Sequence, residues 1–445
     1  MSPEELSEAV DIEQLENEAI ERLQEYIQLD TVNPPGNEYL GVEFFAKIFD
    51  AEGIPYETAE SAPGRGNIWA KLEGGSEPGV VLLSHMDVVP FDEESWSHPP
   101  LSGDIEDGHI RGRGTLDMKG IGISNLQAFL GLHRSGKALN RDVLFVATAD
   151  EEAGGRFGAG WMAENKKEVF DGFGLLLNEG GGGHVRGGEV SFGIEVTQKV
   201  PFWIRLTAHG APGHASAPGA ESATTRLVRA VSRIHENPFP AKVSPAVDAY
   251  FKAMSPNMES PWREAFADIA KATEDPSFLN GLRDFNRGFH SLVRNTLSIT
   301  RLEGSKKINV IPTVATAEID CRLVPNQDPD EFLKAMHDII DDAEIEIEVI
   351  MGFSPAESKT DTELYSAIET VCHRHYPEAP VVPSVMTGFT DSHYFRNLGL
   401  ACYGFWPNVV PAKEMSRIHG NDERVSVDNM KMATRLLLEI LNEIV

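Results

Sequence analysis

The amino-acid sequence predicts an α/β fold into which an α+β domain is inserted. Three observations lead to this prediction. Apolar, strand-like runs alternate with helical patterns towards both ends of the chain, which is the order of an α/β domain with a mixed, mostly parallel sheet. From about residue 196, runs that alternate apolar and polar residues indicate half-exposed strands instead. The chain of 445 residues is also too long for one ordinary core.

The N-terminal part alternates helices with apolar strands. Helical patterns cover roughly residues 11–29, 39–52 and 119–135, and a loop containing NPPGN separates the first two. Four apolar runs are predicted as strands: NIWAKL, GVVLLSHMDVV, DVLFVATA and GLLLNE. Because open α/β sheets carry their sites at the carboxyl ends of strands, the acids and histidines after these runs are candidate functional residues.

The middle of the chain is predicted to form the inserted domain. Strand patterns occur in TQKVPFWIRLTAHG, NTLSITRLEG, ATAEIDCRLV and AEIEIEVIM, and helical patterns in SATTRLVRAVSRIHE, PWREAFADIAKA and PDEFLKAMHDIID. The Pro- and Met-rich stretch 236–263 indicates an additional loop or helical excursion. The α/β alternation resumes at DTELYSAIETVCHRH. We therefore predict a discontinuous domain of residues 1–196 and 356–445, with residues 197–355 as the insert.

Composition excludes several classes of protein. A hydrophobic content of 41% with 24% charged residues is typical of a soluble globular protein. No run approaches the roughly 18 apolar residues of a membrane helix, and the acidic N-terminal stretch does not resemble a signal peptide, so a cytoplasmic location is predicted. Three widely spaced cysteines argue against a disulfide framework or a thiolate zinc site. The net charge of −30 argues against nucleic acid or anionic membranes as partners.

Two segments in the N-terminal part carry candidate metal ligands. In SHMDVV, His85 and Asp87 lie two residues apart at a strand end, so both side chains can face one side. A carboxylate in that position can accept the second ring N–H of a metal-binding histidine; the alternative is a core histidine held by an aspartate. In GRGTLDMKG, Asp117 lies in a glycine-bounded loop that matches neither the dinucleotide nor the phosphate-loop pattern, and it could also be an ordinary turn carboxylate.

Three further segments add acids and a late histidine. TADEEAGG contains Glu151 and Glu152, which strand alternation would direct apart. LLLNEGGGG contains Glu179, with glycines that would keep the space beyond it open, and SRIHGNDERV contains His419. Taken singly, each could be a solvated side chain. Together, the histidines and acids would form a pocket that requires cations, and nitrogen and oxygen ligands without thiolate suit zinc, cobalt or manganese.

These segments, in this order, resemble the M20 family of metallopeptidases, the group of dinuclear zinc carboxypeptidases and aminoacylases. The motifs H-x-D, G-x-x-D-x-K-G, D-E-E-x-G-G, N-E-G, G-x-x-x-H and a late H-G run from residue 85 to residue 420. The resemblance implies a zinc-peptidase-like catalytic domain with a lid or dimerisation domain as the insert. It also implies two bound zinc ions, with cobalt or manganese as substitutes. A homodimer could form through the insert, or the long insert could replace the second subunit.

The resemblance also implies a role for each motif residue. The five expected metal ligands form two groups that share a bridging Asp117: His85, Asp117 and Glu179 at one zinc, and Asp117, Glu152 and His419 at the other. Glu151 would be the general base that takes a proton from the water bound by the zinc ions. Asp87 would orient His85, and the peptide bond after Asp117 would be cis.

The expected substrate contacts are His214, Asn309, Arg322, Gly388, Thr390 and His393. By the resemblance, His214 in HGAPGHASAP contacts the oxyanion, often in the active site of a partner subunit, whereas Asn309 and Arg322 contact the carboxylate of the substrate. Arg322 would supply the positive charge that an anionic substrate needs in an acidic protein; the alternative is a surface ion pair. His393 stands where several relatives have arginine, and a protonated ring could pair with a carboxylate.

The sequence therefore predicts a metal-dependent hydrolase that cleaves an amide bond next to a free carboxylate. The substrate would be a short peptide that loses its C-terminal residue, or an N-acyl amino acid. The long insert resembles the carboxypeptidase S side of the family more than the succinyl-diaminopimelate desuccinylases, which remain an alternative. An inactive relative that binds metal and peptides is the alternative from another class. Glu151 and all five ligand positions are present, which favours an enzyme.

Overall fold

The computed structural model describes residues 9–186 and 188–445. Contacts between residues divide the chain into two compact units. The first comprises the described residues up to Val196 together with Ser358–Ser384 and Thr390–Val445. The second comprises Thr197–Glu357 and Val385–Phe389. The function of the second unit as a lid or dimerisation domain stays a prediction.

The described residues form both β-strands and α-helices. The strands are β1 (Tyr56–Ala62), β2 (Arg65–Leu72), β3 (Glu77–His85), β4 (Ile105–Glu106), β5 (His109–Arg111), β6 (Arg141–Thr148), β7 (Phe173–Arg186), β8 (Glu189–Gln198), β9 (Val200–His209), β10 (Gly213–His214), β11 (Thr296–Glu303), β12 (Val310–Ile311), β13 (Val314–Leu323), β14 (Ile345–Gly352), β15 (Val381–Met386), β16 (Ala401–Pro411) and β17 (Arg424–Ser426). The α-helices are α1 (Ile12–Ile27), α2 (Tyr39–Glu52), α3 (Lys119–Ser135), α4 (Ala159–Asn165), α5 (Ala223–Glu236), α6 (Pro245–Met254), α7 (Trp262–Ala267), α8 (Ile269–Ala272), α9 (Pro276–Phe285), α10 (Arg287–Leu292), α11 (Pro329–Ile340), α12 (Glu363–His375), α13 (Ser392–Asn397), α14 (Ala412–Met415) and α15 (Val427–Ile444).

An eight-stranded sheet forms the centre of the first unit, with the strand order β1-β2-β6-β3-β7-β16-β8-β15. The strands β6, β3, β7 and β16 pair in parallel, whereas β1–β2, β2–β6 and β7–β8 are antiparallel. The predicted α/β fold with a mixed sheet is therefore confirmed, and its parallel pairing lies in the four central strands. Those strands read as apolar runs because helices cover both faces of the sheet.

The alternation of side chains along β6 shows how the two faces are covered. Phe145 packs against aromatic rings of α2 and α3 on one face. Its neighbours Leu144 and Val146 join a cluster with Met162 of α4 and Phe395 of α13 on the other. Both faces of β6 are thus buried in apolar layers. This burial fixes the position of the end of the strand, where polar residues follow.

A small three-stranded sheet, β17-β5-β4, joins segments that are far apart in the sequence. Val425 lies opposite Ile110 in the antiparallel pair of β17 and β5. The amide of Gly112 donates to the carbonyl oxygen of Glu423 at 2.9 Å. This pairing brings the loop before β17 beside the loop before α3, where Asp117 lies.

The second unit contains an antiparallel sheet in the order β11-β13-β9-β14. Residues of β13 alternate between buried and partly exposed, and α5 and α11 contribute to the apolar cluster on the buried face. The stretch 236–263, predicted as a loop or helical excursion, contains α6. Phe251 of this helix contacts Phe266 and Phe289, so the stretch packs through aromatic rings against the helices that follow it.

Two compositional expectations can be compared with the structure. Cys321, Cys372 and Cys402 are buried free thiols, in agreement with the prediction that they form no disulfide framework. Within the described part of the chain, no helix combines the length and apolarity needed to cross a bilayer. The predicted cytoplasmic location stays a prediction.

Candidate metal centre

Six polar side chains converge at the carboxyl ends of the central strands. They come from β3, from the loop before α3, from the turn after β6, from β7 and from the loop before β17: His85, Asp117, Glu151, Glu152, Glu179 and His419. Parallel strands bring their carboxyl ends to one edge of the sheet, so chemistry-bearing residues after different strands meet there.

Two groups of donor atoms share Asp117. His85, Asp117 and Glu179 offer one atom each within 4.8 Å of one another, and so do Asp117, Glu152 and His419. The Asp117 Oδ1 atom lies 3.3 Å from His85 Nε2, and Oδ2 lies 3.1 Å from His419 Nε2. The structure thus brings together all five predicted ligands in the two predicted groups. Their role as ligands stays a prediction.

The two neighbouring glutamates face different groups, but not because of strand alternation. β6 ends at Thr148, Asp150 has a positive φ of 72°, and Glu151 and Glu152 lie in a single turn of 3-10 helix. The expectation that alternation separates these two side chains is therefore wrong. The turn directs Glu151 Oε2 to 3.9 Å from His85 Nε2 and Glu152 Oε2 to 3.1 Å from His419 Nε2.

The glycines after Glu179 also differ from their predicted role. They do not leave open space beyond a strand end, because β7 continues through them to Arg186. A Cβ atom on Gly181 would lie 2.3 Å from the carbonyl oxygens of Gly193 and Gly404. These glycines therefore allow neighbouring strands to approach closely around Glu179, which itself is buried.

Asp87 contacts both His85 and the glutamate turn. The ring nitrogen His85 Nδ1 lies 3.0 Å from the carbonyl oxygen of Asp87 and 3.4 Å from its carboxylate. The same carboxylate accepts hydrogen bonds from the amides of Glu151 and Glu152, at 3.1 and 3.2 Å. Asp87 therefore contacts the histidine and holds the turn that presents the two glutamates. Its predicted role in orienting a metal-bound His85 stays a prediction.

Sequence reasoning missed a buried ion pair that supports Asp117. The Glu423 carboxylate accepts from the amides of Leu116 and Asp117 at 2.7 and 3.2 Å, and it pairs with Arg113 at 2.7 Å. Arg113 also donates to the carbonyl oxygen of Gly420 at 2.7 Å. Glu423 lies four residues after His419 in the sequence, and no local pattern distinguishes it from an ordinary loop carboxylate.

The peptide bond between Asp117 and Met118 is cis, as the resemblance implied. It lies between the amide that donates to Glu423 and the first residue of α3.

The buried carboxylates of this cluster repel one another, and bound protons or cations would reduce that repulsion. Burial and the neighbouring Glu179 raise the pKa of Glu151, and burial and Asp117 raise the pKa of Glu152 to about 7. Hydrogen bonds to Asp117 and Glu152 raise the pKa of His419 to about 10. Without other cations, therefore, protons are shared among the donors to limit the repulsion between buried carboxylates.

The residues present fit a pair of divalent metal ions. The donors are carboxylates and imidazoles, which suit zinc, cobalt or manganese. Glu152 Oε1 is buried and has no hydrogen-bond partner among the described residues, although a buried carboxylate oxygen normally has one. A cation beside this oxygen would satisfy it.

Two of the predicted substrate contacts, His214 and Asn309, lie together in the second unit. His214 of β10 pairs with Val310 of β12, and the amide of Ala215 donates to the carbonyl oxygen of Asn309 at 3.2 Å. Both His214 and Asn309 are exposed. The Ser216 amide donates to His214 Nδ1 at 3.2 Å, so the neutral ring carries its hydrogen on Nε2.

Arg322 and Gly388 also lie in the second unit, close to Phe389. Arg322 forms an ion pair with Asp320, with Nε 2.8 Å from the carboxylate. Its guanidinium lies over the ring of Phe389 at 5.9 Å, next to the half-buried Gly388. The alternative of an ion pair is thus present in the structure, and a contact of Arg322 with substrate stays a prediction.

Thr390 and His393 lie in the first unit and are buried. The His393 Nδ1 atom is 2.8 Å from the carbonyl oxygen of Thr390. Burial lowers the pKa of His393 to about 4, so its ring is neutral at pH 7. Burial disfavours the charged ring that a pair with a carboxylate would need. The contact of His393 with substrate stays a prediction.

Acidic and imidazole donors at the carboxyl edge of a mixed sheet define a metallohydrolase-type site. Comparison with known proteins agrees with this class. The family model for peptidase family M20/M25/M40 matches residues 81–443. The N-fatty-acyl-amino acid synthase/hydrolase PM20D1 of Xenopus tropicalis is 32% identical, covering 81% of this chain and 71% of the relative. A probable carboxypeptidase S-like 2 of Dictyostelium discoideum is 30% identical, covering 82% of this chain and 71% of the relative.

Solved structures agree at the level of the fold. The M20 family metallo-carboxypeptidase Sso-CP2 of Sulfolobus solfataricus has a TM-score of 0.71 at 20% identity, covering 95% of this chain and 98% of that chain. The chain belongs to peptidase family M20/M25/M40. It is accordingly an enzyme, an M20-type metallopeptidase or amidohydrolase.

Proposed function

We propose that this protein hydrolyses the amide bond of N-acyl amino acids with the help of two divalent metal ions, most naturally zinc. The observation that carries the proposal is the pair of donor groups that share Asp117. Family membership supports the amide-hydrolase chemistry. The names of two relatives, a hydrolase of N-fatty-acyl amino acids and a carboxypeptidase S-like protein, share one substrate feature, an amide nitrogen next to a free carboxylate.

In this proposal the five donors hold the metals and Glu151 moves the proton. His85, Asp117 and Glu179 would hold one ion, and Glu152 and His419 together with Asp117 would hold the other. Such a pair of ions lowers the pKa of a bound water and polarises a carbonyl group.

Glu151 is suited to act as the general base. Its side chain is buried and faces the shared donors, with Oε2 3.9 Å from His85 Nε2. Burial and Glu179 raise its pKa, which makes the deprotonated carboxylate a stronger base. Glu151 would accept a proton from the attacking water and pass it to the leaving nitrogen.

His214 is proposed to stabilise the oxyanion from the second unit, which we interpret as a lid or dimerisation domain. The support is chemical. Because the Ser216 amide donates to Nδ1, the neutral ring presents an N–H donor at Nε2. An exposed position on a two-residue strand leaves that donor accessible.

A matched substrate panel tests this proposal. The purified protein is stripped with a chelator and then reconstituted with zinc, cobalt or manganese. It is assayed with N-acyl amino acids of increasing chain length, with dipeptides, and with N-succinyl amino acids. Each N-acyl amino acid has a control in which the free carboxylate is a primary amide.

The expected result is release of the amino acid from N-acyl amino acids, dependent on metal, and at least about tenfold slower release from the primary amides. Faster cleavage of dipeptides than of N-acyl amino acids would indicate that peptides are the preferred substrates. A dominant preference for the succinyl group would favour the desuccinylase alternative. No release with any metal would contradict the proposal and favour an inactive, metal-binding relative.

A further inference from the structure

Behind the proposed general base lies a buried network in the first unit that the roles assigned so far do not use. It contains an arginine, an asparagine and two acids, none of them a proposed metal ligand: Asn33, Glu38, Arg65 and Asp150. All four are buried. Buried charges raise the free energy of the folded protein unless they pair with one another in good geometry. A role for this network would explain why the fold keeps it.

Asp150 closes the turn that carries the two glutamates. Its carboxylate accepts from Arg65 Nη2 at 2.5 Å, from Asn33 Nδ2 at 3.1 Å and from the amide of Phe157 at 3.0 Å. Its carbonyl oxygen accepts from the amides of Ala153 and Gly155. The acid therefore ties both ends of the turn together, while its backbone adopts the left-handed conformation with φ of 72°.

Asn33 connects Asp150 to Asp87. One nitrogen, Asn33 Nδ2, donates to Asp87 Oδ2 at 2.8 Å and to Asp150 Oδ1 at 3.1 Å. Asp87 in turn accepts from the amides of Glu151 and Glu152. The glutamate turn is thus held from two sides, by Asp150 at its start and by Asp87 beneath it, and Asn33 joins the two supports.

Arg65 supplies the positive charge that makes this arrangement possible. Its guanidinium donates to Asn33 Oδ1 at 3.2 Å and to the carbonyl oxygen of Pro35 at 2.9 Å, and it pairs with Glu38 at 2.9 Å as well as with Asp150. A planar fork with several fixed donors can serve these acceptors together, whereas a lysine cannot. Arg65 therefore fixes the carboxylate of Asp150 and the loop of Asn33 at the same time.

We propose that Asp150 and Arg65, joined through Asn33 to Asp87, are positioning residues that hold the Glu151–Glu152 turn in its reactive geometry. This inference rests on the proposed function, because it assigns Glu151 the general-base role. Asp150 and Arg65 would not touch the substrate, and they would act on the rate of the chemical step through the orientation of Glu151.

The primary test is Asp150→Asn. Asparagine tolerates the left-handed conformation at this position, so the substitution isolates the carboxylate from the backbone. The three groups around it are all donors, and an amide would turn a fourth donor towards one of them. We expect kcat to fall about 10- to 100-fold, the size typical of residues that orient catalytic groups. KM should stay within about twofold. Because Glu152 belongs to the same turn, both proteins are compared at saturating metal, so that a weaker metal affinity does not contribute to the loss of kcat.

A second readout does not depend on activity. Hydrogen exchange of the backbone amides, followed by mass spectrometry on the metal-loaded protein, reports on the turn directly. In Asp150→Asn the segment 148–157 should exchange faster than in the unsubstituted protein, because the amides of Glu151 and Glu152 lose a rigid support. If the unsubstituted protein hydrolyses none of the substrates, the proposed function fails while this exchange measurement still tests the positioning role.

Arg141 provides a matched control on the same strand. It lies at the opposite end of β6, is buried, and pairs with Glu363 at 2.5 Å. Arg141→Met should lower the thermal midpoint and leave kcat and the exchange of segment 148–157 unchanged. An equal loss of kcat in Arg141→Met and Asp150→Asn at the same loss of stability would overturn the positioning role.

The arginine is tested by a conservative pair. Arg65→Lys keeps the charge and should retain more kcat than Arg65→Met, which leaves Asp150 and Glu38 without a cation. The double variant Arg65→Met with Asp150→Asn should lose no more kcat than Arg65→Met alone, because residues that act as a unit are not additive. An unchanged kcat in Asp150→Asn, or multiplied losses in the double variant, would contradict the inference.

Discussion

The proposed metal ligands and the proposed oxyanion residue differ in how the chain holds them. Among the donors of the first unit, His85 and Glu179 are buried, Asp117 and Glu152 are partly buried, and His419 is half exposed. Further buried polar groups, such as Asp87 and Glu423, brace them. In the second unit, His214 lies exposed on a strand of two residues, and its ring contacts a nearby serine. One set is rigidly supported and the other is accessible.

This difference follows from the chemistry each group is proposed to perform. Carboxylates that share metal ions have to be close before the metal arrives, and they repel each other unless the fold fixes them. A donor to an oxyanion meets its partner only when substrate is bound, so it needs access more than burial. Substitutions in the two regions should therefore change different quantities.

The largest effect is expected for Glu151→Gln. Removing the general base should lower kcat about 10²- to 10⁴-fold, while both metals stay bound because Glu151 belongs to neither donor group. Steady-state kinetics and metal analysis of the purified protein measure this. Glu152→Gln serves as the contrast, and it should lose about one equivalent of metal. Loss of metal in Glu151→Gln, or near-full activity, would show that the two roles are assigned wrongly.

His214→Ala should have the next largest effect. Loss of an oxyanion donor is expected to lower kcat about 10²- to 10³-fold, with the metal content and the thermal midpoint unchanged because the side chain is exposed. His209→Ala is the matched control, since His209 is another exposed histidine of the second unit and pairs with Glu346 at 3.5 Å. Equal kinetics of the two variants would remove His214 from the site.

Glu423→Gln should weaken metal binding, and we expect a smaller effect than for the two previous substitutions. Its carboxylate holds the amides of Leu116 and Asp117, so its loss should lower metal affinity about 10- to 100-fold. A titration of the metal-free protein with zinc measures this. Glu414→Gln, in the same C-terminal region, removes a pair with Arg424 instead and should leave the affinity unchanged. A similar loss in both variants would mean that the effect comes from general destabilisation.

The smallest expected effect is the release of protons when metal binds. In the metal-free protein His419 has a pKa raised to about 10 and Glu152 a pKa raised to about 7. At pH 7, therefore, His419 is protonated and Glu152 is about half protonated, and a metal ion must displace these protons. Metal affinity should therefore rise with pH between 7 and 10. Calorimetric titrations in buffers of different ionisation enthalpy count the released protons. A binding enthalpy independent of the buffer would contradict this assignment.

The sequence alone determined the fold class and the identity of the candidate donors. Strand-like apolar runs followed by acids predicted the sheet and its functional edge, because burial of both sheet faces leaves a recognisable pattern. By resemblance, the motifs predicted different roles for Glu151 and Glu152, and they grouped His85, Asp117 and Glu179 as the structure does. These signals are local, and each is carried by a few neighbouring residues.

Only the tertiary structure decided how those residues are supported. The pairing of β17 with β5 brings His419 to Asp117, and the contacts of Arg65 and Asn33 with Asp150 join segments far apart in the chain. The structure also shows that Glu151 lies in a helical turn rather than in a strand. It shows that His393 is buried, and burial lowers the pKa of its ring. Such contacts depend on distances between segments separated by many residues, which no local pattern in the sequence encodes.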